Sequence, residues 1–125
     1  VAYVTGPVNY AISSDKRVKE NVKDNVPGME FINKLKPVSY TYNISKLDKI
    51  TGIPDSLREL KEYKLAIEAK EKKRYSGMMA QDVAEAAKEI GYDFDGINVG
   101  DSATPWSLAY ASFIPSMIQA MKEQQ

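Results

Sequence analysis

The spacing of apolar residues changes at Pro37, and that change limits what the chain can fold into. Before it, Met29, Ile32 and Leu35 recur every three residues, as one face of a helix requires. After it, Val38, Tyr40 and Tyr42 alternate, as the two faces of a strand require. A proline pushes the residue before it out of the helical region, so a helix must end where a strand begins. A chain of 125 residues with both periods has room for one core and is neither a pure bundle nor a sandwich. The expectation is α+β: a small, mostly helical domain with short strands.

Other segments fill in that outline. Residues 1–12 are β-branched and aromatic around a Gly6-Pro7 break, which predicts an extended segment. Val18, Val22 and Val26 recur every four residues until Pro27-Gly28, which predicts a short helix from Asp15. Ser56 and Glu59 have capping-box spacing ahead of Leu57, Leu60, Leu65 and Ile67, which predicts a helix of about 18 residues whose charged end, residues 68–74, is a solvated face. Residues 75–79 read as a strand, residues 81–90 as a helix closed by Gly91, and residues 92–104 as a loop. Pro105 sits at the expected start of a C-terminal helix carrying Trp106, Tyr110, Phe113, Met117 and Met121, with a kink at Pro115. That stripe reads as core or, since it is wide for so small a domain, as a contact between subunits.

Composition removes whole classes of function. The chain has no Cys and no His, which excludes disulfides, thiolate zinc sites, His triads and haem ligation by either residue. Its 17 basic residues balance 17 acidic ones, which is not the footprint of a nucleic-acid or anionic-membrane binder. No apolar run approaches the roughly 20 residues of a membrane span, and the N-terminus lacks signal-peptide order. The start on Val suggests a fragment of something longer.

Three constellations could carry chemistry. Asp93, Asp95, Asn98 and Asp101 crowd around Gly96 like calcium ligands, but the EF-hand spacing is not met, so a turn is expected and no metal or cofactor is called for. Met78 and Met79 read as core. Ser14 and Lys19 lie five apart, an ordinary helix cap and a surface lysine by themselves. If a helix starts near Asp15, however, the Lys19 side chain leans back toward its N-terminus and its amine approaches the Ser14 hydroxyl. The helix dipole and partial burial would then favour the neutral amine, and free backbone N–H groups could hold an oxyanion.

Four motifs in order resemble the intramolecular chaperone and auto-processing domain at the C-terminus of phage endosialidases, tail spikes, tail fibres and neck appendages. The family's Ser-Asp-x-Arg-Leu-Lys-x-Asn-Ile is matched from Ser14 to Val22, and its Leu-x-Pro-Val-x-Tyr-x-Tyr from Leu35 to Tyr42. Its Gly-Phe-Ile-Ala-Gln-Glu-Val is matched from Gly77 to Val83, and its closing helix motif from Tyr110 to Gln124. The resemblance runs from Ser14 to the C-terminus and departs in two places. A charged helical insert separates Tyr42 from Tyr75, and Gln124 stands where the family prefers Leu.

The resemblance implies a homotrimer, associating through the C-terminal helix, that holds the β-stalk of its own N-terminal passenger in register and then cuts itself off. Residues 1–14 would be the end of that stalk and residues 15–125 the chaperone. Carried over, Ser14 is the nucleophile and Lys19 the general base of a single-turnover serine endopeptidase, with the cut at Ser14-Asp15. A serine attacking its own carbonyl would close a strained four-membered ring, so that cut calls for a different geometry, such as attack across the trimer. Attack on the preceding carbonyl would cut at Ser13-Ser14 through a five-membered ring. The setting implied is the bacterial host cytoplasm during phage assembly, with neither nucleic acid nor membrane as partner. The alternative is a structural trimerisation or receptor-binding tip that does not cleave.

Overall fold

The computed structural model describes Gly6, Pro7 and residues 11–125. The expected stalk segment lies mainly outside the described residues. The rest is an α+β domain of six α-helices and two small antiparallel sheets. The helices are α1 (Met29–Ile32), α2 (Ile44–Thr51), α3 (Asp55–Arg58), α4 (Lys61–Lys72), α5 (Ala80–Glu89) and α6 (Ile114–Glu123). The strands are β1 (Val38–Tyr40), β2 (Tyr75–Gly77), β3 (Ile97–Asn98) and β4 (Ser107–Leu108). β1 pairs with β2, placing Tyr40 opposite Tyr75 with ring centroids 6.1 Å apart, and β3 pairs with β4.

The core forms around Phe31, which is fully buried. Its ring centroid lies 5.2 Å from Tyr92, 5.2 Å from Phe94 and 6.1 Å from Phe113. Val83, Ala86 and Ala87 of α5 close the other side. Burial of this kind is worth roughly 1.5–3 kcal/mol for each large side chain. As the spacing anticipates, α5 ends at Gly91, whose φ of 68° lets the backbone turn left-handed. Tyr92 N–H then bonds the Ala87 carbonyl at 2.9 Å and Gly91 N–H the Lys88 carbonyl at 3.1 Å, a Schellman closure that delivers Tyr92 and Phe94 to Phe31.

The structure corrects several sequence expectations. From Asp15 only one turn of 3-10 helix forms, at Lys16–Val18, and Asn21 takes a φ of 56°. Val18 and Val22 remain 69% and 81% exposed, so among the described residues little covers the face that would have made a helix of β-branched residues worthwhile. The long helix before residue 74 is broken by extended backbone at Leu60, giving α3 and α4, and the Ser56–Glu59 capping box is not used, since Pro54 precedes α3. The supposed loop at residues 92–104 contains β3, and Pro105 starts no helix because Trp106 leads into its partner β4. Pro115 does not kink a helix. It sits in the first turn of α6, where its missing N–H has no partner to lose.

The insert between β1 and β2 is therefore a three-helix excursion whose ends are joined by strand pairing. Its fastening is polar: buried Asp48 accepts the Tyr63 hydroxyl at 2.8 Å and pairs with the Arg58 guanidinium at 3.3 Å. The Glu71 carboxylate accepts the N–H of Ile44 at 3.1 Å, tying the end of α4 to the start of α2.

α6 is unusual in which side it buries. Ser116 and Ala120 face inward, whereas Ile114, Met117, Ile118 and Met121 are each between 50% and 65% exposed. Small residues inside let α1 approach closely, so that a Cβ added at Gly28 would lie 2.7 Å from the Ala120 backbone nitrogen. The Glu123 carboxylate completes the seat by accepting the N–H of Met29 at 2.9 Å. Met78 packs against the core as expected, whereas Met79 is 46% exposed.

Candidate processing site

Residues 11–26 leave the body at Gly28 and run exposed along their whole length. Within them a short loop closes. Asp15 caps the 3-10 turn, its Oδ1 accepting the Arg17 N–H at 2.9 Å, while Val18 N–H bonds the Asp15 carbonyl at 3.1 Å. The turn ends at Lys19, whose backbone is extended. From there the Lys19 side chain reaches back, and its Nζ donates to the Ser14 Oγ at 2.7 Å.

The sequence reasoning thus names two side chains that meet, by a different route from the one expected. No α-helix or helix dipole is involved; a 3-10 turn supplies the reversal. Partial burial is not present either, because Ser14 and Lys19 are both exposed in the single chain. Asp15, on the far side of the expected cut, is held by Arg17. Its Oδ2 accepts Arg17 Nη2 at 2.7 Å and Nε at 3.0 Å. That side-chain fork, helped by the backbone N–H, holds the Asp15 carboxyl below its ordinary range, and the carboxylate in turn raises Arg17. Arg17 is the residue that spacing alone did not single out, and an acidic residue two before an arginine in a capping turn was the available signal.

Two hollows lie elsewhere among the described residues. One of about 300 Å³ lies between Ser45, Arg58 and Lys64, and one of about 480 Å³ beside Tyr42 and Glu71. Neither includes Ser14 or Lys19. Among the described residues no group of acidic side chains is arranged to hold a metal, and Asp95 and Gly96 form a turn leading into β3.

Fold and loop together define a small α+β domain with a Ser-Lys pair on a segment outside its core. Residues 14–92 match the peptidase family described as the chaperone of endosialidase, well over half of the chain, and the chain belongs to that family. The family name supports a chaperone role and membership of a serine peptidase family. The match begins at Ser14, and the C-terminal motif read from the sequence lies beyond its end. No curated protein and no solved structure matches the chain.

Proposed function

We propose that this chain is a trimerising intramolecular chaperone of a phage tail spike or appendage protein, which releases itself by autoproteolysis with Ser14 as nucleophile and Lys19 as general base. The observation that carries the reading is the 2.7 Å contact between Lys19 Nζ and Ser14 Oγ. With the amine neutral, the same contact runs the other way: the Ser14 hydroxyl donates and Lys19 takes its proton as the oxygen attacks. The amine leaves with that proton, and water hydrolyses the ester. For a cut at Ser14-Asp15, Ser14 of one chain attacks the Ser14 carbonyl of another. For a cut at Ser13-Ser14, it attacks the preceding carbonyl of its own chain. A lysine serves as base near neutral pH when it is desolvated, so an exposed pair calls for cover from a neighbouring chain or the passenger.

The outward face of α6 supports the trimer. Ile114, Met117, Ile118 and Met121 follow the spacing of a helical seam, and among the described residues they stay 50–65% exposed. Residues 1–14 are the end of the passenger stalk and residues 15–125 the chaperone, acting in the host cytoplasm while the virion protein assembles. Pre-association lowers the entropy of aligning three strands, and cleavage makes the result irreversible.

The deciding experiment is the intact mass of this domain expressed with its upstream stalk, beside Ser14→Ala and Lys19→Ala. The expected result is cleavage of the wild type alone, with the new N-terminus, Asp15 or Ser14, identifying the bond. If all three stay whole and trimeric, the domain is a non-cleaving structural clamp; a monomer by sedimentation removes the trimer.

A further inference from the structure

The inference deepens the Ser14–Lys19 reading and rests on it. Ser14 and Lys19 are five residues apart, a span of roughly 16 Å in extended chain, far more than a lysine side chain covers. A turn must bring them together, and the one present has a single 3-10 backbone bond and no buried residue. Short 3-10 turns are marginal without packing. What remains to hold it is the Asp15 carboxylate, which accepts the Arg17 N–H on one oxygen and the guanidinium on the other.

A second consequence concerns Lys19. Asp15 is the carboxylate adjacent to Ser14, hence the competing partner for the Lys19 amine. A free Asp15 would draw that amine into an ion pair and keep it protonated; with both Asp15 oxygens occupied by Arg17, Lys19 bonds Ser14 instead. We propose that Arg17 is a positioning residue for self-processing: by engaging Asp15 it closes the turn and reserves Lys19 for Ser14. The other charged residues of the exposed segment 11–26 are Lys16, Glu20, Lys23 and Asp24. Two guanidinium N–H groups converging on one carboxylate oxygen is geometry that a lysine does not reproduce.

The test follows the cleavage rate of the chain with its upstream stalk, by intact mass, across about pH 6 to 10. For Arg17→Ala the midpoint of the rise in rate moves up by about one pH unit, slowing cleavage roughly tenfold on the acid side of that rise. Adding Asp15→Asn to Arg17→Ala returns the midpoint, since the competing charge is gone. Arg17→Lys falls between, and Lys16→Ala, which removes a neighbouring charge, matches the wild type. An Arg17→Ala protein within twofold of the wild type overturns the inference, as does one slowed with an unmoved midpoint, which would make Arg17 merely structural. A wild type that stays whole, or a Ser14→Ala protein cut at the wild-type rate, brings down the underlying reading instead, and shows in arms where Arg17 is untouched. Independently of cleavage, the Asp15 carboxyl followed by NMR in Ser14→Ala titrates below the usual carboxylate range and returns to it when Arg17→Ala is added; an unchanged titration also overturns the inference.

Discussion

Gly28→Ala tests the joint on which the exposed segment of residues 11–26 is mounted. An added Cβ would lie 2.7 Å from the Ala120 nitrogen and 2.8 Å from Glu123 Oε1, where ordinary contacts begin at 3.4 Å. The Glu123 carboxylate is on a flexible exposed side chain and can swing away, at the cost of its bond to Met29 N–H, worth roughly 0.5–1.5 kcal/mol net. The Ala120 nitrogen is backbone within α6 and cannot move alone, so α1 and α6 must separate by several tenths of an ångström. Overpacking of that kind costs about 1–3 kcal/mol, for a total of about 2–4 kcal/mol. In a domain this size that lowers Tm by on the order of 10 °C. The assay is urea or thermal unfolding at fixed protomer concentration, since association shifts apparent stability. Gly28→Ala combined with Glu123→Ala retains most of the loss, because the backbone clash remains. A Gly28→Ala protein within about 0.5 kcal/mol of the wild type would refute the close seating of α1 on α6.

Four further outcomes are expected. Phe31→Ala removes the ring at the centre of the core and costs about 3–5 kcal/mol by denaturant titration. Asp48→Ala strands the partly buried Arg58 and costs about 3 kcal/mol, the low end for a broken buried pair because the Arg58 side chain keeps 22% exposure; hydrogen exchange should place the loss in α2–α4. The bond to Asp48 raises the Tyr63 phenol above its ordinary value, so its stabilisation is present below the unfolded value near 10 and lost as pH rises through the folded one. Tyr63→Phe is therefore less stable than the wild type at neutral pH, and the gap narrows in alkali. A chain beginning at Asp15 should unfold within about 0.5 kcal/mol of one beginning at Ala11, because residues 11–14 are exposed.

What the sequence made legible was local, and what it concealed depended on partners. The switch at Pro37, the strand at β2 and the closure of α5 at Gly91 are each decided by a few neighbouring residues, and each is found in place. The valine spacing from Val18 to Val26 misled because periodicity records a face without saying whether anything covers it. Pro115 misled for a related reason. Tyr110 and Phe113 share spacing with Met117 and Met121, but Phe113 is buried in a 3-10 turn before α6, whereas the methionines point outward. Ser14 and Lys19 were legible as a pair from the family resemblance. The turn that joins them was not, since it rests on an Asp15–Arg17 fork that hydrophobic patterning does not register.

The two surfaces the chain leaves uncovered bear on the order of events. α6 exposes its large apolar residues while burying its small ones, and the processing segment exposes Val18, Val22 and the Ser-Lys pair. On the proposed reading both are completed by assembly, and the two are mechanically close, because the segment joins the body at Gly28, against the C-terminal half of α6. A site that already held its base desolvated would cut each chain as soon as it folded, before three passengers were in register. On that reading the Ser-Lys pair, exposed in the single chain, acts only when a neighbouring chain or the passenger covers it. Covering it lets association, rather than the folding of a single chain, set when the bond breaks.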